Sequence, residues 1–294
     1  DSGAIPSPEE QLAQHEKALA AWEKAVKAAE EQGKKPPRRP RAPIKIGDLY
    51  AANIEPVVPY AIRGVLWDQG ESGTAVAGVD QFTMMGALIR GWRNVWGQGD
   101  FPFLYVQKPS GGGCAWDTDD PVTRMADAFA KLPATPNRET DGLYRELHIK
   151  IMQHPNTAMA TASDLGSGVH PLNKSGYGRR ACHVALGFVY DLDVETHGPT
   201  CESHAVEGNK IRIRFSHVGQ GLAFRHGDEL QGFEIAGDDG TYHWATAEID
   251  GDTVVVSSPE VAKPANVRYG WSRNHTWANL FNKDGLPALT FQTE

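Results

Sequence analysis

Cysteine is scarce in these 294 residues: only Cys114, Cys182 and Cys201. They are odd in number and widely spaced, with no metal-ligand pattern. They read as buried thiols, with room for one disulfide at most. Long hydrophobic runs are missing too, and no apolar stretch approaches the roughly 18 residues needed to cross a bilayer. Positive charge is in deficit, with 29 Lys and Arg against 37 Asp and Glu, a net charge of −8. That balance argues against a nucleic-acid binder. No signal peptide is visible, but Asp1-Ser2-Gly3 does not look like a natural start, so this absence says little about export. What is present is an ordinary globular composition, 40% hydrophobic and 22% charged. The length suits one large domain or two smaller ones with an ample core.

Three regions differ in character. Residues 1–47 hold a long Ala/Glu/Lys helix from Pro8 to about Gln32, with Ser7 as N-cap and Leu12, Leu19, Trp22 and Val26 at helical spacing. Gly33 ends it, and the Pro- and Arg-rich stretch Lys34–Pro43 is an extended loop. Its basic residues fit either an anion-binding patch or a solvated linker.

Residues 48–192 alternate helix and strand. Helices are predicted over Asp48–Tyr60, Val79–Trp96, Val122–Leu132, Tyr144–Gln153 and Asn173–Tyr190. Strands are predicted over Ala61–Trp67, Phe101–Gln107 and Thr157–Asp164, with Ala61–Trp67 buried on both faces. This pattern points to an α/β fold of three layers around a parallel sheet. Residues 193–294 change to short strands, Ile211–Phe215, Phe233–Ala236, His243–Ile249, Thr253–Ser257 and Asn266–Tyr269, separated by Gly/Asn/Asp turn signals. They read as an all-β, sandwich-like unit serving either as a sugar-binding module or as a buttress.

Chemistry concentrates in two loops that fall beyond strand ends, where α/β folds place their sites. In Asp164–Lys174 an acid and an imidazole lie six positions apart in a Gly-rich loop. His170 is the candidate general base and Asp164 the carboxylate that would orient it. In Trp67–Ser72 the Gln69 amide can donate to a developing oxyanion, and Gly70 lets backbone approach a substrate closely. Glu71 and Arg63 take supporting roles, with Arg63 at the start of a central strand and paired to Glu71 or another acid.

The run Val58–Ser72 resembles the Gln-Gly-Glu block of sialate O-acetylesterases and related carbohydrate acetylesterases. Trp96–Phe103 resembles the approach to the next strand in that family, and Asp164–Lys174 resembles its terminal acid and histidine block. The long helix, the Pro-rich linker and the β-rich tail with Glu207–Lys210 and Asp252–Pro259 are similar to a bacterial branch. The resemblance covers most of the chain. It implies an SGNH-type α/β/α fold, hydrolysis of O-acetyl esters on sugars, a periplasmic or secreted setting, and no metal or organic cofactor. It carries His170 over as base and Gln69 as oxyanion donor. The family commonly places its acid three residues before the histidine, where this chain has Ser167, so the acid is either Asp164 or lost. The family's Gly-Gln-Ser-Asn-like nucleophile block is absent, and neither Ser2 nor Ser72 sits in a comparable context. The expectation is therefore an esterase whose serine comes from an upstream segment of the same protein. The alternatives are a non-catalytic sugar-binding or structural relative, and a serine esterase for another acyl substrate such as an acetylated plant polysaccharide.

Overall fold

The computed structural model describes residues 7–43, 47–58, 60–70, 78–136 and 141–293. Helix α1 (Pro8–Glu31) starts with a reciprocal cap: Ser7 Oγ accepts from the Glu10 amide, and the Glu10 carboxylate accepts from the Ser7 amide. The Pro-rich stretch after it is extended and returns along the helix, with Trp22 Nε1 donating to the Pro37 carbonyl at 2.8 Å. Helix α2 (Asp48–Asn53) is shorter than predicted and gives way to one 3-10 turn at Glu55–Val57. Pro56 has no amide with which to continue an α-helical ladder.

Strands β1 (Val65–Trp67), β2 (Phe103–Val106) and β3 (Thr157–Ala160) form a parallel sheet in chain order. Side chains alternate between its faces. Phe103, Tyr105 and Met159 pack against Met85 and Ile89 of α3 (Gln81–Trp96) and against Ile151, in the 3-10 turn that follows α4 (Asp141–Lys150). Leu104, Val106, Ala158 and Ala160 pack on the other face against Tyr177, Ala181 and Val184 of α5 (Lys174–Phe188). Helices thus cover both faces.

Two expectations fail here. β1 is not buried on both faces. Among the described residues it is an edge strand, and Leu66 is 54% exposed. Arg63 accordingly precedes an edge strand rather than a central one. The segment Val122–Leu132 is a series of turns instead of a helix. Asp120 Oδ1 accepts the Val122 amide and the Asp117 carbonyl accepts the Thr123 hydroxyl. The Val122 carbonyl, which a helix would use internally, instead accepts from Asn173 Nδ2 at 2.7 Å, and the Ala130 amide donates to the Thr276 carbonyl at 3.2 Å.

The last third is a β unit with two four-stranded antiparallel sheets. One contains β4 (Thr200–Glu207), β5 (Lys210–Ser216), β9 (Thr246–Asp250) and β10 (Thr253–Ser257), in the order β4-β5-β10-β9. The other contains β7 (Phe233–Ala236), β8 (Tyr242–Trp244), β11 (Asn266–Tyr269) and β13 (Phe291–Gln292), in the order β13-β11-β7-β8. A two-stranded antiparallel pair of sequence-distant strands, β6 (Leu222–Phe224) with β12 (Leu280–Asn282), accompanies them. Ile211, Ile213, Val254 and Val256 from the first sheet share one core with Phe233, Ile235 and Val267 from the second. The single strand predicted over His243–Ile249 is broken at Ala245, where the chain leaves one sheet for the other. This unit is docked on the α/β part: Cys114 Sγ donates to the Ala278 carbonyl at 3.3 Å, and Leu289 joins the core beside Phe103. All three cysteines are free thiols. Burial pushes Cys114 up to about 12 and Cys201 up to about 11. Cys182 lies exposed on α5, contrary to the expectation of a buried thiol.

Candidate active site

Parallel strands carry their following loops to one edge of the sheet, and here those loops are cross-tied. The Gly111 amide donates to the Ala162 carbonyl at 2.8 Å, the Gly113 amide to the Ser163 carbonyl at 2.8 Å, and the Ala162 amide to Gln107 Oε1 at 3.1 Å. The loops after β2 and β3 are therefore one rigid ledge. Gly111, at φ +72°, cannot be replaced without movement, because an added Cβ would meet the Ser167 backbone at 2.4 Å.

An open cavity of about 390 Å³ lies beyond β1, lined by Trp67, Asp68 and Gln69 on one side and by Val169, His170 and Lys174 on the other. Gln69 and His170, distant in sequence, thus face one space. Both are exposed, as groups that meet a solute must be. Gly70 is buried at φ +137°, its carbonyl accepts the Tyr144 hydroxyl, and a Cβ there would sit 3.2 Å from His148 Cε1. That explains a glycine after Gln69. Glu71 and Ser72 lie outside the described residues, as does Ser2. Arg63 donates to the Val189 carbonyl at 3.3 Å.

Asp164 is fully buried and is not bonded to His170. Its Oδ2 accepts from Arg180 Nη2 at 2.7 Å, and Arg180 Nη1 also donates to the Thr161 carbonyl at 3.2 Å. Asp164 Oδ1 has no hydrogen-bond partner. The pair ties the end of β3 to α5, and Asn173, which caps α5 by accepting the Gly176 amide at 2.9 Å, follows His170 closely. Along the chain the exposed histidine thus lies between a residue of a buried ion pair and a helix cap.

Several site residues were not picked out from the sequence. Lys108, 1% exposed, follows β2 and places its ammonium 2.8 Å from Asp68 Oδ1 and 3.2 Å from Ser110 Oγ. This buried cation braces the turn that carries Gln69. A lysine directly after an apolar strand was the available signal. Lys174 is a second such residue and brings a cation to the cavity wall. Deeper, Arg145 is fully buried and donates from Nη2 to the carbonyls of Gly111 at 3.0 Å and Arg273 at 2.6 Å. Burial pushes its guanidinium down to about 9. Burial, and then Arg145, pushes His275 down to about 3, so this imidazole is neutral. Among the described residues, no group of three His, Cys, Asp or Glu is placed to hold a metal ion. No helix among them is long and apolar enough to cross a membrane.

The chain is similar to the crystal structure of a novel carbohydrate acetylesterase from Xanthomonas citri, with a TM-score of 0.69 and 33% sequence identity. Its small parallel sheet and several antiparallel sheets are consistent with the fold of that solved protein. The match covers 85% of the chain and 56% of that solved protein, so the chain spans a little over half the length of its relative. No protein-family model matches the chain, and no curated protein does.

Proposed function

We propose that this chain forms part of an SGNH-type carbohydrate O-acetylesterase site, with chemistry like that of the sialate O-acetylesterases. The observation that carries the reading is the shared cavity of Gln69 and His170 beyond the strand ends. The likeness to a carbohydrate acetylesterase supports it. Among the described residues that line the cavity there is no serine. Because the sequence has no Gly-Gln-Ser-Asn-like block, we assign the nucleophile to an upstream segment of the same protein, with Ser72, outside the described residues, as the competing candidate.

In this mechanism His170 takes the proton of the serine hydroxyl as its oxygen attacks the acetyl carbonyl. The Gln69 amide donates to the resulting oxyanion, where charge develops in the transition state. Collapse expels the sugar alkoxide, which takes the proton from His170. Water, deprotonated by the same imidazole, then releases acetate. Asp164 acts as a positioning residue, because its carboxylate is committed to Arg180 rather than to His170. Lys174 is the cation that a sialate carboxylate would meet, whereas Asp68 is already neutralised by Lys108.

The test is acetate release from an O-acetylated sialic acid, by the chain alone and with the preceding segment restored. Release only with that segment, abolished in His170→Ala, supports the assignment. Release by the chain alone would mean that a serine within it does the work. A second reading, a non-catalytic sugar-binding relative, is favoured by the absence of a bond between Asp164 and His170. Sugar binding without release by the extended protein would establish it.

A further inference from the structure

The Pro-rich stretch after α1 is built as a presented ridge of charge. Residues 34–43 carry Lys34, Lys35, Arg38, Arg39 and Arg41 and no acidic residue, in a protein of net charge −8. Proline fixes φ near −65° and holds the preceding residue extended. Pro36, Pro37, Pro40 and Pro43 therefore impose an extended, polyproline-like path on most of the stretch. Such a chain has three residues per turn and rises about 3.1 Å per residue. Lys35, Arg38 and Arg41 then lie along one edge, about 9 Å apart.

The ridge is fixed from behind. The Lys34 amide donates to the Ala29 carbonyl at 2.8 Å, Trp22 Nε1 holds the Pro37 carbonyl at 2.8 Å, and the Arg39 guanidinium lies over the Trp22 ring at 5.7 Å. Leu19, Trp22, Val26 and Ala29 are half-buried beneath it, a stripe of alternating four- and three-residue spacing along α1. Arg39 is thus spent on packing, whereas Lys35, Arg38 and Arg41 are exposed and form no ion pair or hydrogen bond. A row of unpaired cations on a stiff backing loses little side-chain and backbone freedom on meeting a linear polyanion.

We propose that Lys35, Arg38 and Arg41 form a binding ridge for an acidic polysaccharide, a chain of carboxylate-bearing sugars. The choice of a polysaccharide rests on the esterase reading above. A linear, evenly spaced row suits a linear polymer, and the ridge offers no aromatic or long aliphatic side chain to enter a lipid surface.

The experiment is binding of the 294-residue chain to polygalacturonate, followed without turnover at low and at raised ionic strength. Binding should weaken with salt, as it must for exposed charges. It should weaken at least tenfold in Lys35→Gln/Arg38→Gln/Arg41→Gln, with thermal unfolding unchanged because Trp22 and Arg39 are left in place. No binding, or equal binding by the triple variant, overturns the proposal. Tighter binding to phosphatidylserine vesicles or to duplex DNA than to polygalacturonate overturns it as well. Acetate release from a neutral acetylated xylose is measured separately, on the protein extended by the proposed upstream segment, so loss of the ridge and loss of the esterase assignment are told apart.

Discussion

Arg180 donates to Asp164 across 2.7 Å, and both side chains are buried. Taking two charges from water is costly, and the pair holds only while both partners are present. Arg180→Leu leaves a carboxylate buried without a counter-charge and should destabilise the fold by about 3–5 kcal/mol. The double variant Arg180→Leu/Asp164→Leu should recover much of that loss. Chemical denaturation of the two variants gives the comparison, and equal destabilisation would show that the pair is not what holds this end of β3.

Gly111→Ala should cost about 1–3 kcal/mol from backbone strain, since its Cβ would strike the Ser167 backbone. The damage should be local. Amide exchange should rise first over residues 164–172, in the loop that presents His170. Protection unchanged there would break the link drawn between the two loops.

Under the proposed esterase mechanism, Gln69→Ala should lower turnover about 10²–10³-fold with little change in KM, the pattern of a donor used in the transition state. Lys174→Gln should instead raise KM for an acetylated sialic acid and leave a neutral acetylated sugar unaffected. Steady-state kinetics on both substrates separates these roles. A fall in turnover on both substrates in Lys174→Gln would remove its assignment to the sialate carboxylate.

Stability should fall in mild acid. Burial, and then His217, pushes His197 down to about 4, and His275 is pushed to about 3. An unfolded imidazole titrates near 6.5. Between these values the unfolded chain binds more protons, so the stability present above pH 6.5 is lost as the pH drops. Glu234 acts in the opposite sense: burial outweighs Arg268 and raises it to about 7, so its contribution is lost as the pH rises through that value. Two imidazoles outweigh one carboxyl, so the unfolding midpoint should fall from near pH 6.5 toward pH 4. His197→Gln should make that fall shallower.

Sequence determined most of what is local. The N-cap of α1, the helices α3 and α5 and the strands Phe233–Ala236, Thr253–Ser257 and Asn266–Tyr269 follow from caps, periodicity and turn residues. So do the two loops that carry Gln69 and His170. Tertiary structure decided what depends on distant partners. It set the turns at Val122–Leu132, where the Ala130 amide reaches the Thr276 carbonyl and Asn173 reaches the Val122 carbonyl. It broke the strand at Ala245 and committed Asp164 to Arg180 instead of His170. A side chain's type limits which bonds it can make, but which one it makes in the interior depends on what the fold brings within about 3 Å.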